Sequence, residues 1–246
     1  MRLVVVPTLL LAAAASLSGQ GKFPPDSFTN LKVLPKNISQ RDLIATMRGF
    51  ALGLGVRCTY CHVGEEGQPL STYKFAADDK RAKRVARVMI DMVSHINEEH
   101  LADVPDRPMP NVVVRCETCH RGVSRPRLLD DEMQLYIADS GITAAIAHYR
   151  DLRSKYYGGE AYDFRELPLI NLAQGEARAG RPDNAIAILG MSAEFFPTSG
   201  LTPMTLGNIL VLKGDTAKAI VAFKDAIAKD STLGQAKQQL QRLTKH

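Results

Sequence analysis

All four cysteines of this 246-residue chain lie in two copies of one pattern, Cys58-Thr59-Tyr60-Cys61-His62 and Cys116-Glu117-Thr118-Cys119-His120. C-x-x-C-H is the spacing at which a chain attaches haem covalently. Two thiols one helical turn apart can each form a thioether to a vinyl group of one porphyrin. The adjacent imidazole then meets the iron from the proximal side. The doubled pattern predicts two covalently bound haem c groups. Cys58 and Cys61 with His62 hold one, and Cys116 and Cys119 with His120 hold the other.

Other uses of paired cysteines fit less well. A redox-active dithiol does not explain a histidine after both pairs. Four thiolates can bind zinc, but zinc ribbons separate their pairs by about 15–20 residues, and here 54 residues intervene. Disulfides within each C-x-x-C would close loops too short to staple anything. The amino terminus agrees with haem attachment, which takes place on the outer side of the bacterial membrane. Arg2, an apolar run from Leu3 to Leu17 and then small polar residues read as a secretory signal peptide over 1–19, cleaved after Ser18 or Gly19. The run is short for a span of about 20 residues, and an uncleaved anchor is the alternative. The expected location is the periplasm, with peripheral membrane association compatible. A linker over 20–28 would follow.

The formal charge of +5 resides in residues 22–128, the remainder being close to neutral. No long Lys/Arg block or aromatic-interleaved basic patch accompanies it, so nucleic acid is not an expected partner.

Each haem needs a distal ligand or an open face. Ser39-Gln40-Arg41-Asp42 is a capping pattern opening a helix, which runs through DLIATMRGFALGLG and stops at Gly55. Met47 sits in its middle. Before the second motif, ADDKRAKRVARVMIDMVSHINEEHL predicts a longer amphipathic helix with Asp78 and Asp79 near its start and Val85, Val88, Met89, Met92 and Ile96 as its apolar stripe. A methionine sulfur suits haem iron and raises its potential. Met47 and Met89 are therefore the expected distal ligands, with Met92 the alternative for the second haem. His95 and His100 read as surface or supporting residues, and a bis-histidine haem stays open. Lys80, Arg81, Lys83, Arg84 and Arg87 form either a solvated face or a set of haem-propionate and partner-steering cations. Arg115 and Arg121 are similar propionate candidates.

At these residues the chain resembles a known family. LPKNISQRDLIATMRGFALGLGVRCTYCHV, RVARVMIDMVSHINEEH and VRCETCHRG are similar to the cytochrome c subunit of bacterial photosynthetic reaction centres, over roughly residues 29–125. The resemblance implies units of helix, turn and C-x-x-C-H, with the helix methionine as distal ligand. By motif, Met47 would serve the first haem and Met89 the second. The chain departs from that family in carrying two motifs where four haems are typical, in lacking a lipid-modified amino-terminal cysteine, and in its carboxy-terminal half. Such domains look widespread in bacteria that do not photosynthesise. The family name implies a photosynthetic role, and electron transfer is the wider implication.

A boundary near residue 128 is expected, giving a dihaem domain over 29–128 and a second domain over 129–246. The second is rich in Ala and Leu and repeats itself: GRPDNAIAIL begins at Gly180 and GDTAKAIVAF at Gly214, 34 residues later. That is the tetratricopeptide period. Gly207, Ala219, Phe223 and Ala226 fall at close-packing positions of the later copy, and Ala185 and Pro197 at those of the earlier one, where Leu189 and Ser192 fit only approximately. A degenerate unit starts at Gly141, and QAKQQLQRL reads as a polar capping helix. No catalytic constellation is visible there.

The chain thus reads as all-α, a helix–turn–C-x-x-C-H multihaem cytochrome domain followed by a tetratricopeptide-like solenoid. The expected function is single-electron transfer between redox partners such as a cytochrome, a reaction centre or a respiratory complex, with the solenoid docking a partner protein. A plain helical support is the alternative for that half. For the whole chain, a dihaem peroxidase or haem-based sensor with one open haem is the rival to a non-enzymatic carrier.

Overall fold

The computed structural model describes residues 22–107 and 109–245. The expected leader over 1–19 and the first two linker residues lie outside them. The described residues are helical, with no strand and one β-bridge, between Val63 and Lys74. None of the described helices is long and apolar enough to cross a membrane. The chain divides into two compact units, the first ending at Thr118 and the second starting at Cys119.

In the first unit, helix α1 spans Gln40–Leu54 with the ends its sequence announces. The Ser39 hydroxyl accepts a hydrogen bond from the Asp42 amide at 3.1 Å, satisfying one of the donors a helix start leaves open. Gly55 closes the helix at φ 63°, the left-handed conformation that glycine adopts without a Cβ penalty. Helix α2 is the short Cys58–Cys61 turn, and α3 spans Arg81–His95 before passing into a π-helical turn over Ile96–His100. Helix α4, Cys116–His120, runs across the end of this unit.

The start of α3 differs from the sequence expectation. Asp78 and Asp79 precede the helix instead of opening it. The Asp78 carboxylate gathers Lys32 at 2.9 Å, Lys83 at 3.0 Å and Arg87 at 2.8 Å, and the Asn30 side-chain amide at 2.9 Å. Arg87 first, then Lys32 and Lys83, hold its pKa far below the usual carboxylate range. These bonds tie the segment around Asn30 to α3.

Little apolar surface is sealed in this unit. Among its described residues only Leu43 and Gly53 are fully buried. Helix α3 buries none of its side chains completely, and its stripe of Val85, Val88, Met89 and Met92 is exposed, Val88 at 65%.

The second unit has a conventional core. Helix α5 spans Leu129–Tyr156 but is broken at Gly141, whose φ of 80° and ψ of 171° are not helical. A straight helix would hold Glu132 and His148 about 24 Å apart. Instead His148 Nε2 lies 3.4 Å from a Glu132 oxygen, and the His148 and Tyr136 rings stack at 4.0 Å. The two halves of α5 therefore fold back on each other as a hairpin. Helices α6 (Glu166–Arg178) and α7 (Pro182–Phe195) form the next hairpin, and α8 (Leu201–Lys213) and α9 (Thr216–Lys229) the one after. Helix α10 (Gly234–Thr244) packs on α9. Tyr149, Met133, Leu169, Leu172 and Ile188 centre one core cluster, and Phe223 with Ala219, Ala226 and Ala236 the other. The one buried carboxylate in these clusters' helices, Glu176, is bound by Arg181 at 2.7 Å and Asn184 at 2.8 Å. Arg181, then Asn184, pull its pKa down against the opposing effect of burial.

Gly207 lies under the ring of Phe223, where a Cβ would come within 2.6 Å of a ring carbon. The ring is wholly buried and has no free direction to move. Gly207→Ala is expected to destabilise this unit by about 1–3 kcal/mol, read as a lower denaturant midpoint with an unchanged slope.

Candidate haem-attachment sites

Both C-x-x-C-H motifs fold as single helical turns. In such a turn residues three apart share a face, so Cys58 lies beside Cys61 and Cys116 beside Cys119. The His62 amide donates to the Cys58 carbonyl at 2.9 Å, which places the ring one position past the thiols. Cys58, Cys61 and Cys119 carry unbridged thiols. Among the described residues no three His, Cys, Asp or Glu side chains converge as a metal cage, so the two pairs are not brought together as a zinc site would require.

His62 packs edge-on against Phe75, ring centres 4.9 Å apart, and its Nδ1 is buried without a hydrogen-bond partner. Burial, followed by the nearby Lys83, lowers its pKa. The imidazole is thereby kept neutral, the form that ligates a metal. Burial likewise pushes the Cys61 thiol up, aided by Cys58 and opposed by Lys80.

His120 is held differently. Arg121 at φ 49° and Gly122 at φ 85° turn the chain so that the Val123 carbonyl comes back to 2.9 Å from His120 Nδ1. The carbonyl can only accept, so Nδ1 carries the proton and the Nε2 lone pair is left for a metal. This is the second partner that metal-ligating histidines characteristically have. The residues present therefore fit haem c at both motifs: paired thiols on one turn, a following neutral or tautomer-fixed imidazole, and uncovered apolar surface nearby.

The expected methionines are placed on helices as foreseen. Met47 is half-buried in the middle of α1, and Met89 and Met92 lie on the exposed stripe of α3. His95 and His100 are exposed at the end of that helix, with His95 Nδ1 2.9 Å from its own helix's Asp91 carbonyl. The basic run is more committed than a solvated or propionate-facing row. Lys83 and Arg87 have side chains only 12% and 15% exposed and are spent on Asp78. Lys83 also donates to the Phe75 and Ala77 carbonyls, and Arg84 to those of Asp78 and Asp79. Lys80, Arg81, Arg115 and Arg121 remain as exposed cations.

Three structural features around the motifs do not follow from the sequence. These are the Asp78 hub, the Val123 carbonyl behind His120, and Asn97, whose side chain bonds Val114 just ahead of Cys116. The last had a visible signal, an asparagine ending M-x-x-M-x-x-x-I-N, but no role follows from that string alone.

The packing of the motifs is reciprocal. Helix α3 packs on α2 of the first motif. Helix α1, which precedes the first motif, meets the second: a Cβ on Gly53 would lie 3.3 Å from Glu117 Cγ and 3.4 Å from Cys116 Cβ. Gly53→Val is expected to displace Cys116 and lower haem loading at the second motif while sparing the first, although Gly53 is much nearer the first in sequence. Mass spectrometry of the tryptic peptides that carry the two motifs would read this, and equal loss at both would contradict the packing argument.

Residues 7–145 match the family model of the photosynthetic reaction centre cytochrome C subunit. The match covers more than half of the chain and runs beyond the 29–125 that the motifs carry. The chain belongs to this family. No curated protein matches it. As a member of the reaction-centre cytochrome c family, it is a c-type cytochrome, a haem-bearing electron carrier. The family is extracytoplasmic and membrane-associated, and its members work with a reaction centre or other redox partners.

Proposed function

We propose that this protein is a periplasmic dihaem c-type cytochrome that passes single electrons between redox partners. The observation that carries the reading is the repeated one-turn C-x-x-C helix leading into a histidine, with His120 locked by the Val123 carbonyl so that Nε2 is its free nitrogen. Cys58 and Cys61 would bind one haem with His62 as proximal ligand, and Cys116 and Cys119 the other with His120. Met47 and Met89 are the proposed distal ligands, Met92 the alternative to Met89. When bound, the haems supply the one-electron chemistry. The protein supplies ligands, desolvation and orientation. His62 is kept neutral by burial, Asp78 neutralises part of the positive charge of Lys83 and Arg87 next to it, and the α3 stripe offers apolar cover.

The proposed domains are a signal peptide over 1–19, a linker over 20–28, the dihaem domain over 29–128 and a tetratricopeptide-like domain over 129–246. The stacked hairpins support the last, as does the start of α7 and α9 at Pro182 and Thr216, 34 residues apart. Its hairpins would dock a partner protein, which a pull-down losing no partner on deletion of 129–246 would refute.

The test of the whole reading is a haem count by alkaline pyridine spectrum and intact mass. Two haems per chain are expected, with one lost on replacing Cys58 and Cys61 and the other on replacing Cys116 and Cys119. A single haem, or none, would overturn it. Carbon monoxide binding to the reduced wild-type protein would favour the alternative, a dihaem peroxidase or sensor with one exchangeable face.

A further inference from the structure

We infer that Asn97 is a positioning residue for the second haem, clipping the segment that enters Cys116 onto the end of the methionine-bearing helix α3 and so setting that haem's distal ligation. The inference rests on the reading that Cys116, Cys119 and His120 hold a haem with a methionine of α3 as distal ligand.

The clip is a reciprocal pair of hydrogen bonds across 17 residues of sequence. The Asn97 side-chain amide donates to the Val114 carbonyl at 2.8 Å, and the Val114 amide donates to Asn97 Oδ1 at 2.8 Å. A further bond at 3.0 Å runs from the same side-chain nitrogen to the Val93 carbonyl, one turn back in α3. One side chain thus binds both backbone groups of Val114 and a carbonyl of the helix. Only a primary amide has the donors and the acceptor to do this.

Its position gives the clip a purpose. Among the described residues between the two, none is buried and Val104, Met109, Val112 and Val113 are exposed, so core packing does not fix where Val114 lies. Cys116 follows two residues later, within about 7 Å of chain. Looking back along α3, Met92 is about one and a half turns from Asn97 and Met89 about two. Asn97 itself falls in the π-helical turn Ile96–His100, where the Leu101 amide reaches back to the Ile96 carbonyl at 2.8 Å. Such turns are frequent at functional sites. The clip therefore fixes the attachment cysteine and the candidate ligands in one frame. Misplacing a ligand by an ångström is enough to change function at a site of this kind.

The experiment compares wild type, Asn97→Ala and Asn97→Asp as haem-loaded full chains. The readouts are the weak far-red charge-transfer band of methionine-ligated ferric haem, carbon monoxide binding after reduction, and hydrogen exchange at the Val114 amide. In N97A the Val114 amide should exchange about tenfold faster. The far-red band should lose about half its intensity, one haem of the pair, and carbon monoxide should bind at the second haem alone. N97D retains an acceptor for the Val114 amide but sets a carboxylate oxygen against the Val93 and Val114 carbonyls, and should lose the band at least as far as N97A. It also carries the comparison if N97A does not accumulate. A full band and no carbon monoxide binding in both variants would overturn the inference while leaving methionine ligation intact. A wild-type protein without the far-red band would overturn methionine ligation itself, and the inference with it.

Discussion

With all four attachment cysteines replaced by alanine, the full chain is expected to lose hydrogen-exchange protection throughout Gln40–Leu54 and Arg81–His95 and to keep it through Glu166–Lys229. The reason is the uneven distribution of buried apolar surface. Ordering the backbone costs about 1–2 kcal/mol per residue, and burial has to offset it. The second unit has two clusters of wholly buried side chains, Tyr149 and Phe223 among them, with which to do so. The first has Leu43 and Gly53. A helix the length of α3 is marginal in water without tertiary packing, and its stripe of Val85, Val88, Met89 and Met92 is exposed. On the proposed reading, the porphyrin faces of the haems would supply the apolar surface against which such a stripe can close. The polar tethers, chiefly those of Lys83 and Arg87 on Asp78, hold local geometry, but the cost of taking such charges out of water offsets much of what their pairing gains. Opening of α6 to α9 should therefore still cost on the order of 5 kcal/mol, while α1 and α3 exchange at nearly the rate of an unfolded peptide. Protected α1 and α3 in a chain carrying no haem would show that the first unit is held by something other than its cofactors.

The same distribution explains which features the sequence made legible. The ends of α1 were readable because Ser39 and Gly55 act locally, through a hydroxyl and a left-handed turn. The C-x-x-C-H turns were readable because the chemistry fixes their spacing. The 34-residue repeat matches the hairpin helices that start at Pro182 and Thr216, and a degenerate unit, out of register with that period, is read from Gly141. It did not show that Leu129–Tyr156 folds back there, which depends on His148 meeting Glu132 and Tyr136. The start of α3 was misjudged for a similar reason. Asp78 is drawn to Lys32, Lys83 and Arg87, and one of these lies far upstream. The lock on His120 was hidden because it needs a left-handed conformation at Arg121, a residue type that rarely signals one. Local signals were visible, and partnerships between distant residues were not.

The second large effect is expected from Met89→Leu. Axial ligands move haem potentials over about 0.8 V, and a methionine opposite histidine sits at the high end of that range. Leucine keeps the volume and the apolar character of the side chain but cannot donate a lone pair. Since Met89 lies on an exposed stripe where no core would be disturbed, the change tests ligation with little loss of packing. The second haem should fall in potential by on the order of 100 mV or more, and after reduction it should bind carbon monoxide, while the first haem keeps its own values. Met92→Leu is the necessary companion, one turn along the same stripe and chemically identical. If M92L gives the fall and M89L does not, the ligand is Met92 and the helix presents a different edge to the iron. If neither variant changes potential or ligand binding, and the wild type already takes up carbon monoxide, the second iron has an open face. The electron-carrier reading would then give way to the peroxidase or sensor for this haem, leaving Met47 and the first haem to be tested in the same manner.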